Sequence, residues 1–177
     1  MTNKITITTS GIIVLIVLSL GTFLFYAQTA ETASATSVVK SVDETVVGEN
    51  LAVQDDDELV LPLSKNRTYI IDGVVYIDYI ANGEPNAQKI AFTVPVGSVM
   101  KIGYSDSHNQ ISDILDTSGE IHAYTNSNTS NRRAVIVKGI VRTGNQDGNL
   151  TFQWSHESVG DALTTVEAGS FLRADQI

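Results

Sequence analysis

Apolar residues follow two different patterns along this chain. Residues 5–30 carry no charge, and their centre, Ile12–Leu20, continued by Phe23, Leu24, Phe25 and Tyr26, is strongly apolar. Further on, apolar residues come in short runs rich in β-branched and aromatic types, many alternating with polar ones, and turn residues separate the runs. A spanning helix needs about 20 mostly apolar residues, because ~30 Å of hydrocarbon is crossed at ~1.5 Å per residue. The stretch 11–27 meets that length and predicts one N-terminal transmembrane helix. Its lipid-facing body would be Ile12, Ile13, Val14, Leu15, Ile16, Val17, Leu18, Leu20, Phe23, Leu24 and Phe25. Lys4 and the amino terminus lie before it and Glu31 is the first charge after it, so the positive-inside rule puts residues 1–10 in the cytoplasm. The rest of the chain is then expected outside, as the exposed part of a single-pass membrane protein.

A cleaved secretory signal is the alternative, since Ala33-Ser34-Ala35 has the small-x-small form of a cleavage site. The longer apolar run and its distance from Ala35 favour an uncleaved anchor. A pilin-like leader cut at Gly11 is a third reading, and it lacks the adjacent basic and early acidic residues such a segment carries.

Residues 28–53 are rich in Ala, Thr, Ser and Val, and read as a stalk or linker, with Glu44–Val53 a first strand or an ordered lead-in. Asp55-Asp56-Asp57-Glu58 then marks a sharp acidic break, and residues 54–177 read as one extracellular head. Within it, Arg67–Ile80 predicts one long bent strand or a hairpin, with Asp72 and Gly73 as a bulge or turn midway. Shorter strands are expected over Ile90–Val94, Ser98–Tyr104, Glu120–Tyr124, Ala134–Thr143, Leu150–His156, Thr164–Glu167 and Ser170–Asp175. Turn chemistry lies between them at Asn82-Gly83, Pro95-Val96-Gly97, Ser118-Gly119, Gly144–Asn149 and Ala168-Gly169. Ser105–Ser118 and Thr125–Arg133 read as loops. In Leu150–His156 the residues Leu150, Phe152 and Trp154 share one face and Thr151, Gln153 and Ser155 the other, predicting one buried and one wet face. The fold class is therefore all-β, an antiparallel β-sandwich of Greek-key or jelly-roll type behind the helix.

Composition narrows the chemistry. The chain has no cysteine, which closes disulfide, thiolate-metal and thiol-nucleophile routes. A net charge of -9 opposes binding to nucleic acid, whose phosphates demand a basic face.

The order Asp55–Leu63, Asn66-Arg67-Thr68-Tyr69 and Ile90–Gly97, then Val137–Val141, Gly148–Trp154 and Thr164–Ala174, resembles a β-sandwich module of tailed-phage virion structural proteins. The resemblance covers residues 54–177. It implies a surface domain of fibre or decoration type that self-associates, and it implies no enzyme. A bilayer anchor in front departs from that pattern and points to a membrane-containing virus, an integrated viral gene or a cellular surface protein carrying the module.

Candidate chemistry is thin. His108, His122 and His156 show no metal-ligand spacing, and His156 is expected as a structural histidine beside Trp154. The carboxylates Asp55, Asp56, Asp57 and Glu58 are a weak calcium candidate, set against a solvated, strand-breaking turn. No pair of carboxylates stands out as a glycosidase acid and base. Tyr69, Tyr76, Tyr79, Tyr104 and Tyr124 would serve either as core residues or as a sugar-stacking platform. Arg132-Arg133 is expected to cap a strand or pair with acids. Asn66, Asn128 and Asn149 fit the glycosylation pattern, Asn149 at a poorly accessible strand start. No cofactor is expected.

Two functions follow. One is a membrane-anchored structural protein whose head assembles with copies of itself, a trimer being the favoured symmetry, with Val135, Ile136 and Val137 hinting at apolar faces on both sides of one strand. The other is a stalked binding module for a glycan or a surface protein.

Overall fold

The computed structural model describes residues 12–19, 22–29, 34–47, 52–80, 86–106, 112–126, 132–156 and 163–177. The chain divides into two compact units, Met1–Ala33 and Ser34–Ile177.

In the first unit β1 (Ile12–Ser19) pairs antiparallel with β2 (Thr22–Thr29), Ile12 opposite Thr29 and Ser19 opposite Thr22. The structure thus has a hairpin where the hydrophobic run predicts a helix. The physical reason is that β-branched and aromatic residues together outnumber Leu in this run, and an apolar run without polar alternation suits a strand as well as a helix. Among the described residues no helix is long and apolar enough to cross a membrane. Of the expected anchor residues, Leu20 lies outside the described residues, as do residues 1–10.

The second unit is all-β among its described residues. Its strands are β3 (Ala35–Val39), β4 (Glu44–Val47), β5 (Gln54–Leu63), β6 (Thr68–Ile80), β7 (Asn86–Thr93), β8 (Val99–Asp106), β9 (Ser112–Leu115), β10 (His122–Asn126), β11 (Arg133–Arg142), β12 (Gly148–His156), β13 (Leu163–Val166) and β14 (Phe171–Gln176). The smaller sheet has the order β10-β7-β12-β5, and the larger β3-β14-β6-β11-β8-β9. β13 continues the line of β14 along β6, and β4 pairs β13 as β3 pairs β14, so each couple acts as one interrupted strand. The pairing is nested. First strand (β3/β4) meets last (β13/β14), second (β5) meets second-last (β12), third (β6) meets third-last (β11), and β7 meets β10. This is the wiring of a jelly roll, with β8 and β9 inserted to widen the larger sheet.

Several boundaries differ from the sequence reading. β3 and β4 belong to the sheet, although residues 28–53 read as a linker, because their few apolar positions pair with the C-terminal strands rather than forming a periodic run of their own. β6 is one unbroken strand of 13 residues through Asp72 and Gly73. β9 lies inside the expected Ser105–Ser118 loop, and Thr125 and Asn126 extend β10. Turns form at Gly97, Gly119 and Gly169, each with positive φ, where a residue without Cβ is unstrained. Asn82-Gly83 lies outside the described residues.

Alternation fills the space between the sheets. Leu59, Leu61 and Leu63 of β5, Ile90 and Phe92 of β7, and Leu150, Phe152 and Trp154 of β12 meet Ile71, Val75 and Ile77 of β6, Ile102 of β8 and Val135, Val137 and Val141 of β11 in one buried cluster. Phe92 and Phe152 pack with ring centroids 5.4 Å apart. The far face of β12 is not wet as expected. Thr151 and Ser155 are buried there, being short side chains in a central strand flanked by β5 and β7.

Two glycines let neighbouring strands close in. A Cβ on Gly73 would lie 2.6 Å from the Phe171 carbonyl oxygen and 2.7 Å from the Leu172 side chain; one on Gly139 would lie 2.5 Å from the Lys101 carbonyl oxygen. Backbone cannot yield as a flexible side chain would, so Gly139→Ala is expected to cost about 1–3 kcal/mol, the usual range for overpacking. Thermal unfolding of the full chain followed by circular dichroism measures this. A loss under ~0.5 kcal/mol, the scale of a neutral surface change, would show that the strands separate freely.

Candidate functional site

The acidic run Asp55–Glu58 is neither a solvated turn nor an open cation cup. It lies inside β5, where the pairing to β12 slips: Thr151 faces Val60, but Gln153 already faces Asp55, leaving residues 56–59 as a bulge. Asp56 turns inward, wholly buried, and its Oδ1 accepts the amides of Glu58 at 3.1 Å and Leu59 at 2.8 Å. Its carboxylate also meets the Nζ of Lys40, 3.0 Å from Oδ2.

Lys40 is the residue the sequence reading passed over. It follows β3, and its side chain is fully buried, with Glu44 at 2.9 Å, Asp56 at 3.0 Å, Asp57 at 3.3 Å and Glu58 at 3.8 Å from Nζ. The grouped carboxylates of Glu44, Asp56 and Asp57 therefore surround an ammonium. An internal cation stands among these carboxylates, where the calcium reading places a metal. Asp55 turns away and accepts from Gln153 at 2.6 Å. A signal was present in the sequence: Lys40 is the one cation between Lys4 and Lys65, among a run of acids.

The same cluster fixes three strand interruptions against one another. Lys40 donates its amide to Ser170 and accepts from Gly169, Asp43 accepts the Ala168 amide at 2.7 Å, and Glu58 accepts the amides of Ser41 and Val42 and the Ser41 hydroxyl. Burial pushes the Lys40 pKa down, but hydrogen bonds to Glu44 and Asp56 and their charges outweigh it, so the net shift is upward. The Ser41 hydroxyl and amide hold the Glu58 carboxyl below its usual range.

A second polar group joins the sandwich edges. His122 on β10 places Nδ1 2.7 Å from Asp113 on β9 and Nε2 3.3 Å from Glu120, so one ring links the edge strand of each sheet. Tyr104 packs edge-on to this ring at 6.1 Å, and burial together with Asp113 pushes its phenol up to about 12. Glu120 is held below its usual range by the Asp116 amide, His122 and the Thr117 amide. His156 is structural, as expected: buried, stacked on Tyr79 at 5.2 Å and 3.3 Å from the Thr164 hydroxyl. His108 and Asn128 lie outside the described residues; Asn66 and Asn149 are exposed, Asn149 despite its strand start.

Tyr69, Tyr76, Tyr79 and Tyr104, whose side chains are described, form no shared platform; the Tyr124 side chain lies outside the described residues. Tyr69, Tyr79 and Tyr104 are core residues, while Tyr76 is exposed on the larger sheet. Val135 and Val137 point into the core and Ile136 points out, so the apolar faces of β11 are real but only one is open. Arg132 pairs with Glu167 at 2.6 Å and Arg133 is buried.

That open face is the most distinctive surface of the molecule. Across the strands, register aligns Val39, Phe171, Val74 and Ile136 in one row, and Ile70 with Ile140 in another. Between them runs a charged row, Arg173, Asp72 and Lys138, ending at Gly103 and Ile114. Of the eleven large apolar side chains exposed among the described residues, seven lie on this face: Val39, Ile70, Tyr76, Val99, Ile114, Ile136 and Ile140. The outer face of the smaller sheet instead presents Lys89, Thr93 and Gln153 around buried Ala91, Thr151 and Ser155.

No family of known proteins matches the chain, and no curated protein resembles it. Among solved structures, it aligns with the infectious bursal disease virus Gt strain at 10% identity and a TM-score of 0.21, and with the Gx strain at 11% and 0.23. A VP2 subviral particle of that virus aligns at 9% identity and a TM-score of 0.19. These alignments cover 96%, 93% and 94% of this chain but only 48%, 45% and 45% of the viral chains, so this chain spans less than half their length.

Two outcomes test the ion cluster. Because the folded pKa of Lys40 is raised, its stabilisation is complete below about pH 10.4 and is lost as pH rises through the folded value. Lys40→Met should therefore lose less stability than the natural chain between about pH 10 and 12, measured by urea unfolding at each pH, whereas equal losses would remove Lys40 from the alkaline response. Calcium at millimolar level should leave the midpoint of thermal unfolding unchanged, since the Lys40 ammonium already occupies the space among the carboxylates; a saturable rise would restore the metal reading.

Proposed function

We propose that this is a non-enzymatic, membrane-anchored surface protein whose jelly-roll head assembles with copies of itself. The observation that carries the reading is the concentration of exposed apolar side chains on one outer sheet face, while the other face is polar. Exposed apolar side chains gathered on one face mark association surfaces, and here two apolar rows flank a row of charges that pair with one another or with a neighbour on the same face. The virion-module resemblance of residues 54–177 supports the same reading, since such modules work as packed copies.

The uncharged N-terminal segment is the proposed bilayer element. In hydrocarbon every backbone donor and acceptor has to be paired within the segment, which a lone two-stranded hairpin cannot do and a helix can. In a membrane we therefore expect residues 11–27 to be helical and the head to lie outside the cell or on a virion surface. A stalked binder of a glycan or surface protein is the second reading, favoured by exposed Tyr76 beside charged groups on the same face.

The full chain, expressed with its N-terminus intact, should sediment with membranes and resist alkaline carbonate extraction. Release into the soluble fraction would contradict the anchor. Solubilised in mild detergent, its protein mass should be that of more than one copy at micromolar concentration; a single-copy mass that binds immobilised glycans would favour the second reading.

A further inference from the structure

The face on the larger sheet has the size and charge layout for a second copy of the same chain. Strands of 13, 10 and 8 residues form its centre. With six strands at about 4.8 Å spacing and ~3.3 Å per residue, the face spans roughly 700–800 Å², close to the ~800 Å² each partner contributes to a standard interface. A chain of net charge -9 repels its copies unless the contact itself is balanced. On this face the balance is met internally in the middle, where Lys138 lies 3.8 Å from Asp72 and Arg173 2.7 Å from Asp175.

What remains is separated end to end. Lys101 and Arg142 are exposed at one end of the strands and make no ion pair among the described residues, whereas Asp78 lies at the other end of β6, where the nearby Arg132 is paired with Glu167. A two-fold axis lying in the interface and running across the strands reverses strand direction between copies. It would set Lys101 and Arg142 of each copy toward the Asp78 end of the other and stack β6 on β6. An isologous contact of this kind is self-complementary, which the most common oligomer symmetry requires.

We propose that two copies of this chain pack these outer sheet faces together around such an axis, Lys101 and Arg142 of one copy meeting Asp78 of the partner subunit. This rests on the self-assembly reading above and specifies its surface, and it gives a pair where the structural reading of the sequence favours a trimer.

The test is sedimentation of the full chain in detergent over a range of concentrations. The natural chain should be a dimer. Replacing both Lys101→Glu and Arg142→Glu should weaken it at least tenfold, Asp78→Arg should weaken it likewise, and combining the three should bring affinity back to within about threefold of the natural value. These groups are at the surface, and unchanged circular dichroism shows that each variant folds. Independently, Ile136→Cys introduces the single thiol of a cysteine-free chain, and a bis-maleimide spanning about 10 Å, the distance between packed sheets, should link two copies. A monomer at every concentration overturns both this contact and the self-assembly reading. A trimer, an oligomer indifferent to the charge reversals, or a dimer that Ile136→Cys does not cross-link overturns this contact alone. A monomer captured by lipid vesicles through the same face would make lipid its occupant and overturn it as well.

Discussion

A buried ammonium must be neutralised where it lies, and the neutralisation of Lys40 organises this sandwich. Desolvating a charge costs several kcal/mol, so a buried Lys persists only with carboxylates in contact. Those carboxylates come from both layers: Glu44 from the larger sheet, Asp56 and Asp57 from the bulge of β5 in the smaller one. The pair therefore fixes how the first strand of the jelly roll meets the second across the sandwich. It also fixes the interruption between β3 and β4 against that between β13 and β14, through the amides of Lys40 and Gly169. Nested wiring makes this closure matter, because the first strand has its partner only at the chain's end.

At the opposite edge, where β9 and β10 border the two sheets, His122 between Asp113 and Glu120 plays the corresponding part with partly exposed groups. One edge is closed by a buried ion cluster and the other by a wetter one. With both edges tied and the smaller sheet's outer face polar, the larger sheet's outer face is the more apolar of the two, and the proposed self-association rests on it. The functional reading follows from that asymmetry rather than from any catalytic constellation.

Much of this was legible in the sequence. Period-two alternation in Leu150–His156 and the β-branched density of Arg67–Ile80 identified central strands, and Gly97, Gly119 and Gly169 marked turns by the one property only glycine supplies there. What escaped depended on partners distant in the chain. β3 and β4 have no strong pattern because each is half of an edge strand whose order comes from pairing with residues some 120–140 positions away. The acidic run read as a break because local sequence shows four repelling carboxylates and does not show the Lys40 ammonium folded among them. The apolar N-terminal run is ambiguous for a different reason: without polar alternation, helix and strand fit it equally, and its surroundings decide.

The most direct measurement is a double-mutant cycle on folding stability with Lys40→Met and Asp56→Leu in the full chain. Removing one partner leaves the other charge buried and uncompensated, at a cost of about 3–5 kcal/mol, and removing both avoids counting that shared penalty twice, although Glu44 and Asp57 keep their charge and the Glu58 and Leu59 amides lose their acceptor. The double variant is expected to lose clearly less stability than the sum of the two single losses, with a coupling of at least ~1 kcal/mol. Two losses that simply add, with the double variant the least stable of the three, would show that Lys40 and Asp56 act independently and that the sandwich is closed by something else.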